Sequence, residues 1–165
     1  MNENLDKRAG FFRRLAAMVY DGLIAVAIGM LTALIFIACL TALIENNVLP
    51  DFGFEHVSDL MQQSMAYKLS VQIWVGFWIC AFFLWFWKNG GQTLGMRAWR
   101  IRIYNLQEDH PVGYGRLLLR LVSAFGGLGT LLVLLDYKHK LALQDRVTHT
   151  EVLLLSSEEN HHRAW

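Results

Sequence analysis

Charge is what this chain has least of. Asp, Glu, Lys and Arg make up 18% of its 165 residues, below the quarter or so of a soluble domain. Apolar residues are 55%. Counted with glycine and without tyrosine they reach about 60%, against about 45–50% in soluble domains. A soluble chain this short cannot bury so much apolar surface. That excludes a soluble enzyme, a disordered protein and a nucleic-acid binder. Cysteine is scarce as well: Cys39 and Cys80 each lie in an apolar run, with no C-x-x-C. Two such residues make no disulfide framework and read as apolar packing. The six histidines show no H-E-x-x-H spacing, so no metal or other cofactor is expected. There are no internal repeats and no low-complexity tracts.

What is present is long apolar runs. Residues 15–44 contain one charge, Asp21. A bilayer needs about 20 helical residues, so this run spans it. It is too long for the apolar region of a signal peptide, about 7–15 residues. A cysteine as deep as Cys39 does not suit a lipoprotein site either. Residues 69–87 are a second, uncharged run, with Trp74, Trp78, Trp85 and Trp87 as candidate interface anchors. Residues 117–135 are a third, but Arg120 lies inside it and Gly126-Gly127-Leu128-Gly129 sits at its middle. Glycine costs about 1 kcal/mol per helical residue relative to alanine, so a break is expected there. The unit is then either a re-entrant hairpin or a broken third span.

Net charge hides an asymmetry. Lys and Arg concentrate in residues 1–14, 88–120 and 136–165, whereas 45–68 carry Lys68 against Glu45, Asp51, Glu55 and Asp59. The positive-inside rule places the N-terminus and 88–120 in the cytoplasm. A hairpin keeps all three basic segments there. Arg100–Tyr104 alternates polar and apolar residues, and Glu151–Leu155 is a short apolar run. The two are expected to pair as a cytoplasmic β-ribbon. Residues 156–165 read as a flexible polar tail.

Asp21 is the most informative residue, because a carboxylate within a span is a functional-site candidate by default. Arg14 lies on the same helix face, about 10 Å away along the axis, too far for direct contact without a bridge. That face continues as Ala25, Gly29 and Ala33, a small-residue stripe suited to close helix packing. Gln72 and Gly76 are candidates for the facing surface, and a second copy of the chain is another.

Residues Arg13 to Asp21 resemble the opening of the RDD family of membrane proteins. Gly91-Gln92-Thr93-Leu94-Gly95-Met96-Arg97 resembles its loop motif. Leu143-Gln144-Asp145-Arg146-Val147 followed by Thr150-Glu151-Val152 resembles its closing segment. The matches are in order and cover most of residues 8–155. Met96 and Gln144 depart from the commoner basic residue and histidine or glycine. The resemblance carries the naming arginine to Arg14 and the aspartates to Asp21 and Asp145. It implies a multi-pass bacterial inner-membrane protein, associated with transport of small ligands, with sodium/proton antiport proposed for some members.

The expected fold is an all-α integral membrane protein. It has two transmembrane helices, a broken third helical unit and a small β-ribbon, in one membrane domain over residues 1–155. Asp145 can fold up against the start of the first helix, putting Arg14 between two carboxylates. That is either a cation or proton site or a structural clamp. Arg97 and Arg100 are expected at lipid headgroups, each contributing about 1 kcal/mol near an anionic surface. Transport of a small ligand, or exchange of a cation for protons, requires a homo-oligomer, since two spans enclose no pathway. The alternative is a non-catalytic accessory protein that holds a partner membrane protein or anionic lipid. No nucleophile–base pair lies in a span, so an enzyme is not expected.

Overall fold

The computed structural model describes residues 7–50, 56–106, 112–136 and 138–162. Two helices dominate, α1 (Phe11–Glu45) and α3 (Met65–Asn89), with the short α2 (Val57–Gln63) between them. At 1.5 Å per residue α1 is about 50 Å long and α3 about 37 Å. Both exceed the roughly 30 Å hydrocarbon core. Val26, Met30, Leu34, Ile73 and Phe77 are among their exposed apolar side chains. So much exposed apolar surface on two span-length helices marks them as lipid-facing. After α3 come α4 (Leu94–Ala98), β1 (Ile101–Asn105), α5 (Tyr114–Ser123), a 3-10 stretch (Phe125–Leu131), α6 (Leu132–Leu135), α7 (Leu143–Val147), β2 (Thr150–Leu154) and α8 (Ser157–His162).

The chain forms two compact units, one of residues Ile24–Ala81, the other of residues up to Leu23 and from Phe82 onward. In the first, Gly29 is the buried point of the small-residue stripe. A Cβ there would lie 3.4 Å from Val75 Cγ1 and 3.7 Å from Ile79 Cδ1. Ala25 and Ala33 are half-buried on the same side. The surface facing Gly29 is therefore Val75 and Ile79. Gln72 is exposed and Gly76 has open space around it, so neither supplies the expected contact. Phe36 stacks on Trp74 at 5.0 Å, and Leu40, Ile44, Leu60 and Tyr67 form a small core. Cys80 is half-buried, but Cys39 is exposed and not a packing residue within the chain.

The second unit holds the expected ribbon. β1 and β2 are antiparallel, with Ile101 opposite Leu154 and Ile103 opposite Val152. A bare hairpin is marginal in water. Here the N-terminal segment bonds along β2, Ala9 N–H donating to Val152 O at 2.9 Å and Leu154 N–H to Lys7 O at 2.7 Å. Ile101, Ile103 and Val152 then pack with Ala9, Ala17, Met96, Val112 and Leu117. The C-terminal residues 157–162 are helical, unlike the loose tail expected. Asn160 explains the difference, because its Nδ2 donates to Arg97 O at 3.1 Å and its Oδ1 accepts from Gln92 Nε2 at 3.2 Å. The rest of that stretch, 163–165, lies outside the described residues.

The third apolar run breaks where the glycines stand. α5 and the Phe125–Leu135 segment are bent by 80°. Gly126 has φ 64° and Gly127 φ 107°, so the bend is built on backbone that L side chains avoid. A Cβ at Gly126 meets nothing within 4 Å, whereas one at Gly127 runs into Met18 Cε. The Met18 methyl can swing aside, but φ 107° at Gly127 lies farther than φ 64° at Gly126 from what other residues adopt, so the two glycines should respond differently. Gly126→Asn, a residue that tolerates this conformation, should leave the melting temperature of the detergent-solubilised protein nearly unchanged. Gly127→Val should destabilise it by about 1–3 kcal/mol or more. Equal effects would show that the bend does not depend on these torsions.

Candidate functional site

The site is built where α1 begins. Arg14, on its first turns, is buried at 5% exposure and uses all three nitrogens. Nε donates to Ala9 O at 3.0 Å, Nη2 to Lys140 O at 3.1 Å and Nη1 to Asp145 Oδ2 at 2.6 Å. Asp145 sits in the first turn of α7 with no exposed surface. Its Oδ2 also accepts from Ala142 N at 3.0 Å, which caps that helix. Its Oδ1 faces Arg120 Nη1 at 2.7 Å. Arg120, from α5, donates in addition to Thr150 Oγ1 at 2.6 Å and lies 5.7 Å from the Trp87 ring centroid. One carboxylate thus joins the starts of α1 and α7 to α5.

Asp21 is elsewhere in the network. Its Oδ2 accepts from the Thr93 hydroxyl, and its Oδ1 accepts from Gly95 N–H at 2.8 Å. Thr93 Oγ1 in turn accepts from Met96 N–H at 3.2 Å and caps α4. The loop from Gly91 to Arg97 is thus fastened to α1 by its backbone. Glycine is required at 95, because a Cβ there would lie 2.8 Å from Asp21 Oδ1 and closer still to Ala17 O.

The expected arrangement of Arg14 between Asp21 and Asp145 therefore changes. The group around Asp145 contains two arginines, and the second is Arg120, which the sequence reading placed in the third run without a partner. Its excess charge is positive, the reverse of the net negative site expected. Two further links fasten the same unit. Arg8 pairs with Glu151 at 2.8 Å, both buried. Arg116 donates to Thr148 O, His149 O and Asn105 Oδ1. Arg100 is exposed and Arg97 is half-buried.

Asp21, Arg14, Arg120, Gln144 and Trp87 line a cavity of about 290 Å³. Most of the remaining wall is apolar, including Met18, Phe83, Met96, Ile101, Ile103 and Leu121. Trp87 is consequently a cavity residue and not simply an interface anchor. Gln144 Nε2 donates to Thr130 Oγ1 at 2.9 Å. The family motif alone gives no sign of the cavity, since Trp87, Leu121 and Met18 fall in runs that also read as plain membrane surface.

Outside the spans, two carboxyls are held below their ordinary range. Burial pushes Asp145 upward, but Arg14 and then Arg120 outweigh it. For Asp136, burial acts upward and hydrogen bonds from His139 and Arg146 lower it to about 2. Groups with depressed folded-state values contribute stability that is complete above the unfolded value of about 3.9, and lose it as pH falls through the lower one.

The model of the RDD family matches residues 8–149. No curated protein and no solved structure matches the chain.

The two aspartates should separate in a stability measurement. Asp145→Asn strands two buried guanidinium groups and should cost about 3–5 kcal/mol. Asp21→Asn keeps a carbonyl acceptor for Gly95 and should cost about 1 kcal/mol. Thermal unfolding in detergent gives the order, and the reverse order would remove Asp145 from the centre of the network. Wild-type stability should hold from neutral pH to about pH 4.5 and fall below about pH 4, with a shallower fall in Asp145→Asn.

Proposed function

The chain belongs to the RDD family, and from that premise we propose that it is a bacterial inner-membrane protein that handles a small ligand, moving it as a homo-oligomer. The cavity carries this reading. Its volume of about 290 Å³ lies at the small end of ligand pockets, about 300–1,000 Å³. It has the usual make-up of a ligand pocket, an apolar wall with a few convergent polar groups. Two spans enclose no pathway alone, so movement of the ligand requires further copies of the chain. The ionised groups at the cavity are held by partners inside the chain, which suits binding and not catalysis. The N-terminus is assigned to the cytoplasm by the positive-inside rule, because segments 1–14, 88–120 and 136–165 carry the basic residues.

Exchange of a cation for protons at Asp21 has less support, since both of its oxygens already accept hydrogen bonds. An accessory role is the second reading. It is favoured by the closed Arg14–Asp145–Arg120 group, which suits a permanent lock, and by exposed Arg100, which suits anionic headgroups or a partner protein. Cross-linking in native membranes, run beside cation-dependent proton movement in everted vesicles, tests these readings. We expect dimers or larger assemblies, and no difference in proton movement between wild type and Asp21→Asn at matched expression. A sodium- or potassium-dependent signal lost in Asp21→Asn would establish exchange instead. A strict monomer copurifying with one stoichiometric partner would establish the accessory role.

A further inference from the structure

The third apolar run is tied at both ends to one end of the span pair. At its entry Lys88 Nζ, in the last turn of α3, donates to Val112 O at 3.3 Å and lies 5.4 Å from the Tyr114 ring centroid. At its exit Arg8 Nη1 donates to His139 O at 3.0 Å and Arg14 Nη2 to Lys140 O at 3.1 Å, at the start of α1. The start of α1 and the end of α3 belong together, since Ala9 and Ala17 pack with Leu84 and Trp87. Between entry and exit, the turn lies beside Met18. A Cβ at Gly127 would run into Met18 Cε, and Thr130 Oγ1 donates to Met18 Sδ at 3.5 Å. Met18 is about 10 Å along α1 from Phe11 at 1.5 Å per residue. That is about a third of the roughly 30 Å hydrocarbon core.

The surface of this unit is turned inside out. A helix on a soluble protein sets its apolar stripe inward and its polar residues outward. In α5, Arg120 and Ser123 are buried beside Leu117, whereas Leu118, Leu119 and Val122 are exposed. After the bend, Thr130 is buried while Leu128, Leu131 and Leu135 are exposed. This apolar face continues the exposed Leu15, Val19 and Leu23 of α1, within the same compact unit. The backbone suits lipid too, where each polar group must be satisfied internally. At the bend Gly127 N–H and Gly129 N–H both donate to Ala124 O, at 2.8 and 3.1 Å. Exposed Lys138 and Arg146 follow the exit, placing positive charge where anionic headgroups lie.

We propose that residues 114–135 form a re-entrant hairpin, entering and leaving the bilayer on one side. Its exposed apolar face is solvated by the acyl chains of the leaflet around the start of α1. The cavity to which Gly126, Gly127 and Thr130 contribute then sits in that leaflet as well. This rests on α1 and α3 being spans and not on the cavity binding a ligand, so the two readings fail separately.

The test places single cysteines in the full chain, with Cys39→Ala and Cys80→Ala as background. Lys7→Cys, Val48→Cys, Gly113→Cys and Lys138→Cys are labelled with a membrane-impermeant maleimide in everted vesicles and in intact cells. A melting curve for each variant reports folding. We expect positions 7, 113 and 138 to label from one side and position 48 from the other, with rates differing roughly ten-fold or more across the bilayer. Labelling of 113 and 138 from opposite sides would establish a third crossing and overturn the proposal. Labelling of 48 together with 7 would overturn it along with its premise. Nitroxides at Val122 and Leu128, in vesicles of phosphatidylcholine and phosphatidylglycerol, then report what covers the face. We expect collisions with oxygen to exceed those with a water-soluble nickel chelate at both positions. Ready access of the chelate would show water on the face. Poor access of both agents would show protein there, such as a second copy of the chain. Either result would overturn the lipid contact.

Discussion

The buried carboxylate of Asp145 is the constraint on which the site-bearing unit depends. It has no exposed surface and receives Arg14 on one oxygen and Arg120 on the other. Charges removed from water cost several kcal/mol each unless geometry and further hydrogen bonds return it. Here they do. Arg14 reaches two carbonyls as well as the carboxylate, Arg120 a threonine hydroxyl, and Asp145 the Ala142 amide. The group is worth more as a specification than as a source of stability. These partners together tie the start of α1 to α5 and α7.

Asp21 applies the same logic to a different segment. A carboxylate low in a span needs partners, and those it finds are a hydroxyl and a backbone amide. Because one partner is backbone, the loop must come very close. Gly95 is the consequence, since any side chain would collide with Asp21 and the Ala17 carbonyl. An aspartate in one helix and a glycine some seventy residues later are thus a single constraint. Arg14 and Asp21 share a helix face but not an ion pair, as the axial separation of about 10 Å requires.

The parts legible in the sequence are those governed by local pattern. Apolar length places α1 and α3, the glycine cluster places the break at 126–129, and alternation places β1. The RDD resemblance points to Arg14, Asp21 and Asp145. Pairing was less legible, because it depends on three-dimensional return of the chain. Nothing local distinguishes Arg120, which anchors Asp145, from a charge tolerated at the edge of a span. Nor does local pattern reveal that Asn160 fastens residues 157–162 into a helix, since its partners are Gln92 and the Arg97 carbonyl. Trp87 reads as an anchor until its neighbour Arg120 is placed. The cavity exists only once these side chains converge.

The same clamp decides how the broken third unit can run. A straight helix from Tyr114 to Leu135 would be about 33 Å long, enough to cross the hydrocarbon core and leave Leu135 on the far side. Asp145 must nevertheless reach Arg14 at the start of α1. Ten residues separate Leu135 from Asp145, at most about 33–36 Å if fully extended. They are not extended, because Asp136 N–H bonds back to Leu132 O, Lys140 N–H to Asp136 O, and α7 begins at Leu143. The ion pair at 2.6 Å is made by a bent third unit and not by a straight Tyr114–Leu135 helix. The 80° bend at the glycines turns the chain out of the line of α5, and the segment that follows carries Asp145 to Arg120 and Arg14.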